Sequence, residues 1–72
     1  MNITLDEEQT AFLTEKLNHL RSEHRDLDDV IGRLSQEIPF DELQVRRLKK
    51  RKLVLKDQIL KIENLLMPDI IA

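Results

Sequence analysis

The sequence predicts an all-α protein, an antiparallel hairpin of two long helices that pair as a coiled coil. Two stretches of the chain repeat apolar residues at alternating steps of four and three, which keeps side chains on one stripe of an α-helix. When the chain folds back at Pro39, each striped residue of one stretch meets one of the other, and every pair of residue numbers adds to 79. We call these positions the seam: Leu13, Leu17, Leu20, His24, Leu27, Ile31 and Leu34, then Val45, Leu48, Lys52, Leu55, Ile59, Ile62 and Leu66.

Composition supports this class. Charged residues make up 36% of the 72 residues and aromatic residues 3%, with one glycine and two prolines, a profile typical of long exposed helices. With no cysteine, the chain has no disulfide, thiol catalysis or cysteine-based zinc site. No apolar run approaches the roughly 20 residues of a membrane span, and the acidic N-terminus does not resemble a signal peptide. We therefore expect one cytoplasmic domain over residues 1–72.

The two predicted helices carry opposite charge. Residues 4–37 contain nine acidic and four basic side chains, a net charge of −5, whereas residues 41–66 contain four acidic and eight basic ones, a net charge of +4. This division favours pairing of the two arms with each other over parallel pairing of like arms.

Capping signals set the expected start of helix 1. Thr4 followed three residues later by Glu7 forms a capping box, which predicts a helix over about residues 5–36. Gly32 lies off the seam and weakens a helix by about 1 kcal/mol relative to alanine. The alternative is a helix that stops near Gly32 and leaves a longer loop.

Helix 2 is bounded by two prolines. The residue before Pro39 is disfavoured in helical geometry, which predicts a loop over about residues 37–40. Asp41 with Gln44 gives a second capping-box pattern, so helix 2 is expected over about residues 40–67, ended by Pro68 and followed by a short tail over 68–72.

A second apolar row on helix 2 indicates an association surface. We call Leu53, Leu60 and Met67, which recur every seven residues away from the seam, the outer row. Phe12 adds an apolar side chain near the overhang where helix 1 extends past helix 2. Exposed apolar stripes often mark contacts between proteins, so we expect a homo-oligomer that forms a helical bundle. The alternative is that these are scattered exposed side chains, which are normal on any surface.

His24 and Lys52 are the polar members of the seam. A metal-binding role for His24 would need further ligands nearby, and His19 falls on a different helix face. Polar seam residues set register and oligomer state, and the Lys52 ammonium group can reach Asp28 or Glu23 along the helix flank. We expect no catalytic residue, no metal site and no cofactor, since the sequence shows no arrangement that a water-excluded active site needs.

A basic run on helix 2 raises a nucleic-acid hypothesis. Basic clusters bind phosphate groups with little sequence selectivity. Helical geometry spreads the run over several faces, and we expect acidic residues of helix 1 to neutralise part of it, with Asp28 opposite Lys49 and Glu23 near Arg51. The candidate nucleic-acid contacts are Arg46, Arg47, Lys49, Lys50 and Arg51.

Two signatures resemble those of the YdcH-like family of small bacterial proteins, a domain of unknown function. They are Leu20-x-x-Glu23-His24-x-x-Leu27-Asp28-x-x-Ile31 and Leu48-Lys49-Lys50-x-Lys52-Leu53-x-Leu55-Lys56-Asp57-x-Ile59. Gln58 stands where members often carry glutamate. The resemblance covers about residues 13–66 and implies a cytosolic coiled-coil hairpin without an assigned reaction. The polar residues of the two signatures form a candidate register or docking network: Glu23, His24, Asp28, Lys52 and Lys56.

These observations favour a non-enzymatic structural or protein-interaction module that binds itself and a protein partner that the sequence does not identify. A nucleic-acid-binding protein is the alternative, and no membrane partner is expected.

Overall fold

Two antiparallel helices form a hairpin, as the sequence predicts. The computed structural model describes residues 5–67, in which helix α1 spans Glu7–Leu34 and helix α2 spans Glu42–Leu66. The connection between them covers residues 35–41. The predicted tail over residues 68–72 lies outside the described residues.

Helix α1 begins two residues later than predicted, because a different capping box starts it. The Asp6 carboxylate accepts a hydrogen bond from the backbone N–H of Gln9 at 2.7 Å, and the Gln9 side-chain oxygen accepts one from the Asp6 N–H at 3.1 Å. The prediction of Thr4 as the N-cap is therefore wrong, and Thr4 itself lies outside the described residues. Glu7 becomes the first helical residue and, with Glu8, places negative charge at the helix N-terminus, where the helix dipole favours it.

Helix α1 continues through Gly32 and ends at Leu34, midway between the glycine and the predicted end, and the connection over residues 35–41 is longer than the predicted loop over 37–40. The end is tightened by the next residue, because both the hydroxyl and the N–H of Ser35 donate to the Ile31 carbonyl, at 2.7 and 3.0 Å. The predicted end near residue 36 is thus two residues too late, since the last turn gives way to shorter i→i+3 hydrogen bonds.

Helix α2 begins where the predicted cap stands. The Asp41 carboxylate accepts a hydrogen bond from the Gln44 N–H at 3.0 Å, and the first helical residue is Glu42. The predicted start at about residue 40 was therefore early by two residues. The helix ends at Leu66 and is capped by Met67, whose N–H donates to the Glu63 carbonyl at 2.8 Å.

The core of the hairpin is the seam. All fully buried residues of the described chain belong to it, and none of them is polar: Leu17, Leu20, Ile31, Val45, Leu55, Ile59 and Ile62. The other seven seam positions, including His24 and Lys52, are half-buried. Leu55 has no exposed surface at all.

The register between the helices follows from three ion pairs that cross the hairpin. These are Arg21–Glu63 at 2.6 Å, Arg51–Glu23 at 2.9 Å and Lys52–Asp28 at 2.7 Å. Their residue numbers add to 84, 74 and 80, values that bracket the 79 of the seam pairing. The flanking charges therefore support the register that brings the two seams together.

Candidate functional site

The polar part of the seam is organised around one ion pair. Lys52 lies half-buried at the seam, and its Nζ atom is 2.7 Å from the Asp28 Oδ1 atom on the flank of α1. The lysine side chain is 32% exposed and the aspartate 61%, because the aliphatic stem covers apolar surface while the ammonium group reaches solvent. The predicted contact of Lys52 with Asp28 is thus present. The predicted pairing of Asp28 with Lys49 is absent from the described residues, because the Asp28 carboxylate is bound by Lys52 instead.

This contact changes the acidity of Asp28. The hydrogen bond from Lys52 and then the positive charge of that lysine lower the pKa of the Asp28 carboxyl. Partial desolvation opposes the shift, and the nearby His24 ring adds a smaller lowering effect on the same pKa. The carboxylate therefore stays ionised at any pH near neutrality and keeps Lys52 in place.

The five residues of the predicted polar network do not form one cluster. Glu23 lies on the opposite flank of the hairpin, where its carboxylate binds Arg51 at 2.9 Å, as the heptad positions predicted. Lys56 lies on the same side as His24 and Asp28, where the three line a shallow open recess. The structure thus brings His24, Asp28 and Lys56 to one recess, joins Lys52 to it through Asp28, and places Glu23 apart from them.

Sequence reasoning missed two arginines at this recess. Arg21 donates to the Glu63 carboxylate at 2.6 Å, and Arg25 lines the same recess. The signal was available, because Arg21 and Glu63 occupy equivalent flanking positions of the two heptads and therefore face each other across an antiparallel pair. The recess is lined by Arg21, His24, Arg25, Asp28, Lys56, Ile59 and Glu63.

The two acidic groups of this recess pair with basic partners on both helices, whereas Arg25 and Lys56 take part in no ion pair of residues 5–67. The recess is open to solvent, which keeps electrostatic interactions weak. Within the part of the chain that the structure describes, no group of three or more histidine, aspartate or glutamate side chains is arranged to hold a metal ion.

The basic run of α2 is partly neutralised. Arg46 lies 3.5 Å from Glu42 on its own helix, while Arg51 and the neighbouring Lys52 are bound by acidic residues of α1. Three members of the run remain exposed and outside the ion pairs formed among residues 5–67: Arg47, Lys49 and Lys50. They occupy three different heptad positions, so they present no single basic face.

The outer row of α2 is exposed in the hairpin. Leu53 is 68% exposed, Leu60 46% and Met67 43%. Phe12 of α1 is 64% exposed and lines a separate shallow recess with Glu15 and other residues of its own helix. Because Phe12 and the outer row occupy different heptad positions on different helices, they lie on opposite flanks of the hairpin. They therefore cannot form one continuous patch.

These features define a small helical-hairpin protein with a seam-filled interior and an uncovered apolar row. The chain belongs to the family described as "Protein of unknown function (DUF465)", which matches residues 17–63 and is the YdcH-like family. No curated protein and no solved structure matches the chain. Neither described helix has a stretch long and apolar enough to span a lipid bilayer.

Proposed function

We propose that this hairpin is a non-enzymatic protein-interaction module that works by binding a second copy of itself through the outer row. The exposure of Leu53, Leu60 and Met67 is the observation that supports this function most directly. Apolar side chains that repeat every seven residues stay on one face of a helix, and an exposed apolar face of this kind often marks a contact surface.

The small buried core of the hairpin supports self-association. Among the described residues, seven large apolar side chains are buried and nine are at least 38% exposed. A two-helix hairpin covers only one side of each helix, and domains of this size have little core to offset the loss of chain entropy. A second copy packed on the outer row would cover part of the remaining apolar surface and add to stability.

The shape of the surface supports a binding role over a catalytic one. The recesses of the described chain are shallow and open, and the charged groups around Asp28 pair with each other. Catalysis needs preorganised groups in a site that excludes water. The cytoplasmic location stays a prediction from the sequence.

Nucleic-acid binding is the competing function, favoured by the exposed Arg47, Lys49 and Lys50 on α2. Titration of labelled duplex and single-stranded nucleic acid at two salt concentrations distinguishes the two functions. Micromolar binding that weakens steeply with salt would favour the competitor, because each released counterion adds to the salt dependence. If the hairpin is an interaction module, we expect no nucleic-acid binding with a dissociation constant below about 100 μM at physiological salt. Such an affinity would be weaker than that of typical non-specific nucleic-acid binders.

Sedimentation equilibrium tests self-association directly. We expect the wild-type chain to form a discrete oligomer and the double variant Leu53→Glu/Leu60→Glu to dissociate. The matched control is Leu43→Glu/Val54→Glu, which adds the same charge to exposed positions of α2 outside the outer row, at 55% and 42% exposure. The control should keep the wild-type mass. A wild-type monomer that remains well folded would overturn the proposal.

A further inference from the structure

We infer that two copies of the hairpin pair through their α2 helices in antiparallel orientation, with a two-fold axis beside Leu60. In this arrangement Leu60 meets Leu60 of the second copy, and Leu53 meets Met67. The inference rests on the proposed self-association and specifies its geometry.

The spacing of the outer row gives it a centre. Leu53 and Met67 lie seven residues on either side of Leu60, so each is about 10.5 Å from it along the helix axis. A row that is symmetric about its middle residue matches itself when one copy is turned end for end. All six apolar side chains of the two rows are then covered at once.

A shifted antiparallel pairing covers fewer of them. If the axis lay midway between Leu53 and Leu60, those two residues would meet, but Met67 would face Arg46 of the second copy. Only four apolar side chains would then be covered against apolar partners. The pairing centred on Leu60 therefore removes more apolar area from water, which is the main favourable term in association.

The charges beside the outer row favour the same centre. Lys56 and Glu63 occupy equivalent heptad positions on the flank of α2 next to the row, four residues before and three after Leu60. When the second copy is turned end for end about Leu60, Lys56 of each copy lies beside Glu63 of the other. Lys56 forms no ion pair within residues 5–67, and Glu63, whose side chain is 30% exposed, binds Arg21. The result is a chain of alternating charges from Arg21 through Glu63 to Lys56 of the second copy.

The other pairings bring like charges together. The shifted antiparallel pairing would place Lys56 beside Lys56 and Asp57 beside Asp57 of the second copy. A parallel pairing sets one flank of the row against the opposite flank, so Lys56 would lie near Asp57 of the second copy but Lys49 would lie near Lys50, and attraction and repulsion would offset each other. Like charges across an interface disfavour the pairing in which they meet, so charge favours the antiparallel arrangement centred on Leu60.

Single cysteines test this geometry, because the chain contains none of its own. Facing helices whose axes lie about 8–10 Å apart bring opposed Cα atoms within reach of a disulfide. Under mild oxidation we expect Leu60→Cys to cross-link to itself. Leu53→Cys and Met67→Cys should not cross-link alone, since the two copies of each residue lie about 21 Å apart along the axis. An equimolar mixture of these two variants should form the mixed disulfide, and Leu43→Cys, outside the row, should form none.

The cross-linking pattern separates the ways in which the inference can fail. Self-cross-linking of all three outer-row variants would show a parallel pairing and overturn the inference while self-association stands. An oligomer that yields no outer-row cross-link would overturn it too, and would point to another surface such as that around Phe12. A folded wild-type monomer would overturn both this inference and the proposed function.

Charge exchange gives a second, independent readout. Lys56→Glu alone and Glu63→Lys alone each replace two attractive contacts of the dimer by two repulsive ones. We expect each to weaken self-association on the order of tenfold. A mixture of the two variants restores opposite charges in both contacts, although Glu63→Lys also loses the ion pair with Arg21. Sedimentation should therefore show mixed dimers that associate more strongly than either variant alone. A mixture that associates no better than its separate components would contradict the Lys56–Glu63 contact.

Discussion

Truncation of Leu55 tests the packing of the hairpin most sharply. Within residues 5–67, Leu55 is the one residue with 0% exposure, and it packs in the core cluster with Leu17, Leu20, Ile59 and Ile62. Leucine-to-alanine substitutions in protein cores cost about 2–5 kcal/mol, depending on how far the site collapses around the lost atoms. We expect Leu55→Ala to fall near the lower end, about 2–3 kcal/mol, because two helices in contact along one seam can close on a gap more easily than a thick core can.

A loss of this size is large relative to the total free energy of unfolding of the hairpin. A chain of this length has an unfolding free energy of about 3–10 kcal/mol, so the substitution removes a large part of it. Urea unfolding followed by far-UV circular dichroism, at one fixed protein concentration, measures the change.

Leu43→Ala is the matched control for this substitution. It removes the same atoms from the same helix at a position that is 55% exposed and lies outside both the seam and the outer row. Its expected cost is within about 0.5 kcal/mol. A Leu55→Ala variant that lost no more free energy of unfolding than Leu43→Ala would refute the placement of the core at the seam.

Three further predictions follow from local contacts. Gly32→Ala should stabilise the hairpin by about 0.5–1 kcal/mol, because an added Cβ meets nothing within 4 Å and alanine favours the helix; an unchanged urea midpoint would contradict this. Asp41→Ala should lower the free energy of unfolding by about 1 kcal/mol because it removes the N-cap of α2, and Asp41→Asn, which can still cap the helix, should keep most of the wild-type stability. Lys52→Met should raise the pKa of Asp28 toward its ordinary value, as read by NMR titration of the carboxyl. Since the folded-state pKa of Asp28 is the lower one, the stabilising effect of this pair is present above the unfolded pKa of about 3.9 and is lost as the pH falls through the folded value.

The sequence was sufficient to predict the helical hairpin because its pattern is redundant. Seven layers of the seam agree on one register, and every seam residue is buried or half-buried in the structure. Even the polar exceptions behave as the pattern predicted, since His24 and Lys52 are half-buried and Lys52 reaches an acidic residue on the flank of α1. A pattern repeated along two whole helices tolerates local errors.

Local choices between equivalent signals were less predictable. Thr4-x-x-Glu7 and Asp6-x-x-Gln9 are overlapping capping boxes two residues apart, and either satisfies the rule for a helix start. The structure uses the second, in agreement with the stronger capping preference of aspartate over threonine. The position of a helix end therefore depended on a small difference in free energy, which the pattern alone does not resolve.

The partner of Asp28 shows a similar limit. Heptad positions placed Lys49 opposite this carboxylate, but the flexible stem of Lys52 bridges from the seam to the flank and takes the contact. The length and flexibility of a side chain therefore determine which residues form such an ion pair, and the heptad position of the backbone alone does not. For the same reason the heptad pattern of a single helix does not reveal the recess with Arg21 and Arg25, which is built from side chains of both helices.

We propose that the hairpin completes its apolar packing by binding a second copy. Thermal unfolding over a hundredfold range of protein concentration tests whether folding depends on this association. If folding and association are coupled, dilution lowers the melting temperature, by about 5–10 °C for a dimer of chains of this size. We expect this fall in melting temperature for the wild-type chain and for Leu43→Glu/Val54→Glu. A melting temperature that stays constant over the whole range, with the helices fully formed at the lowest concentration, would contradict it.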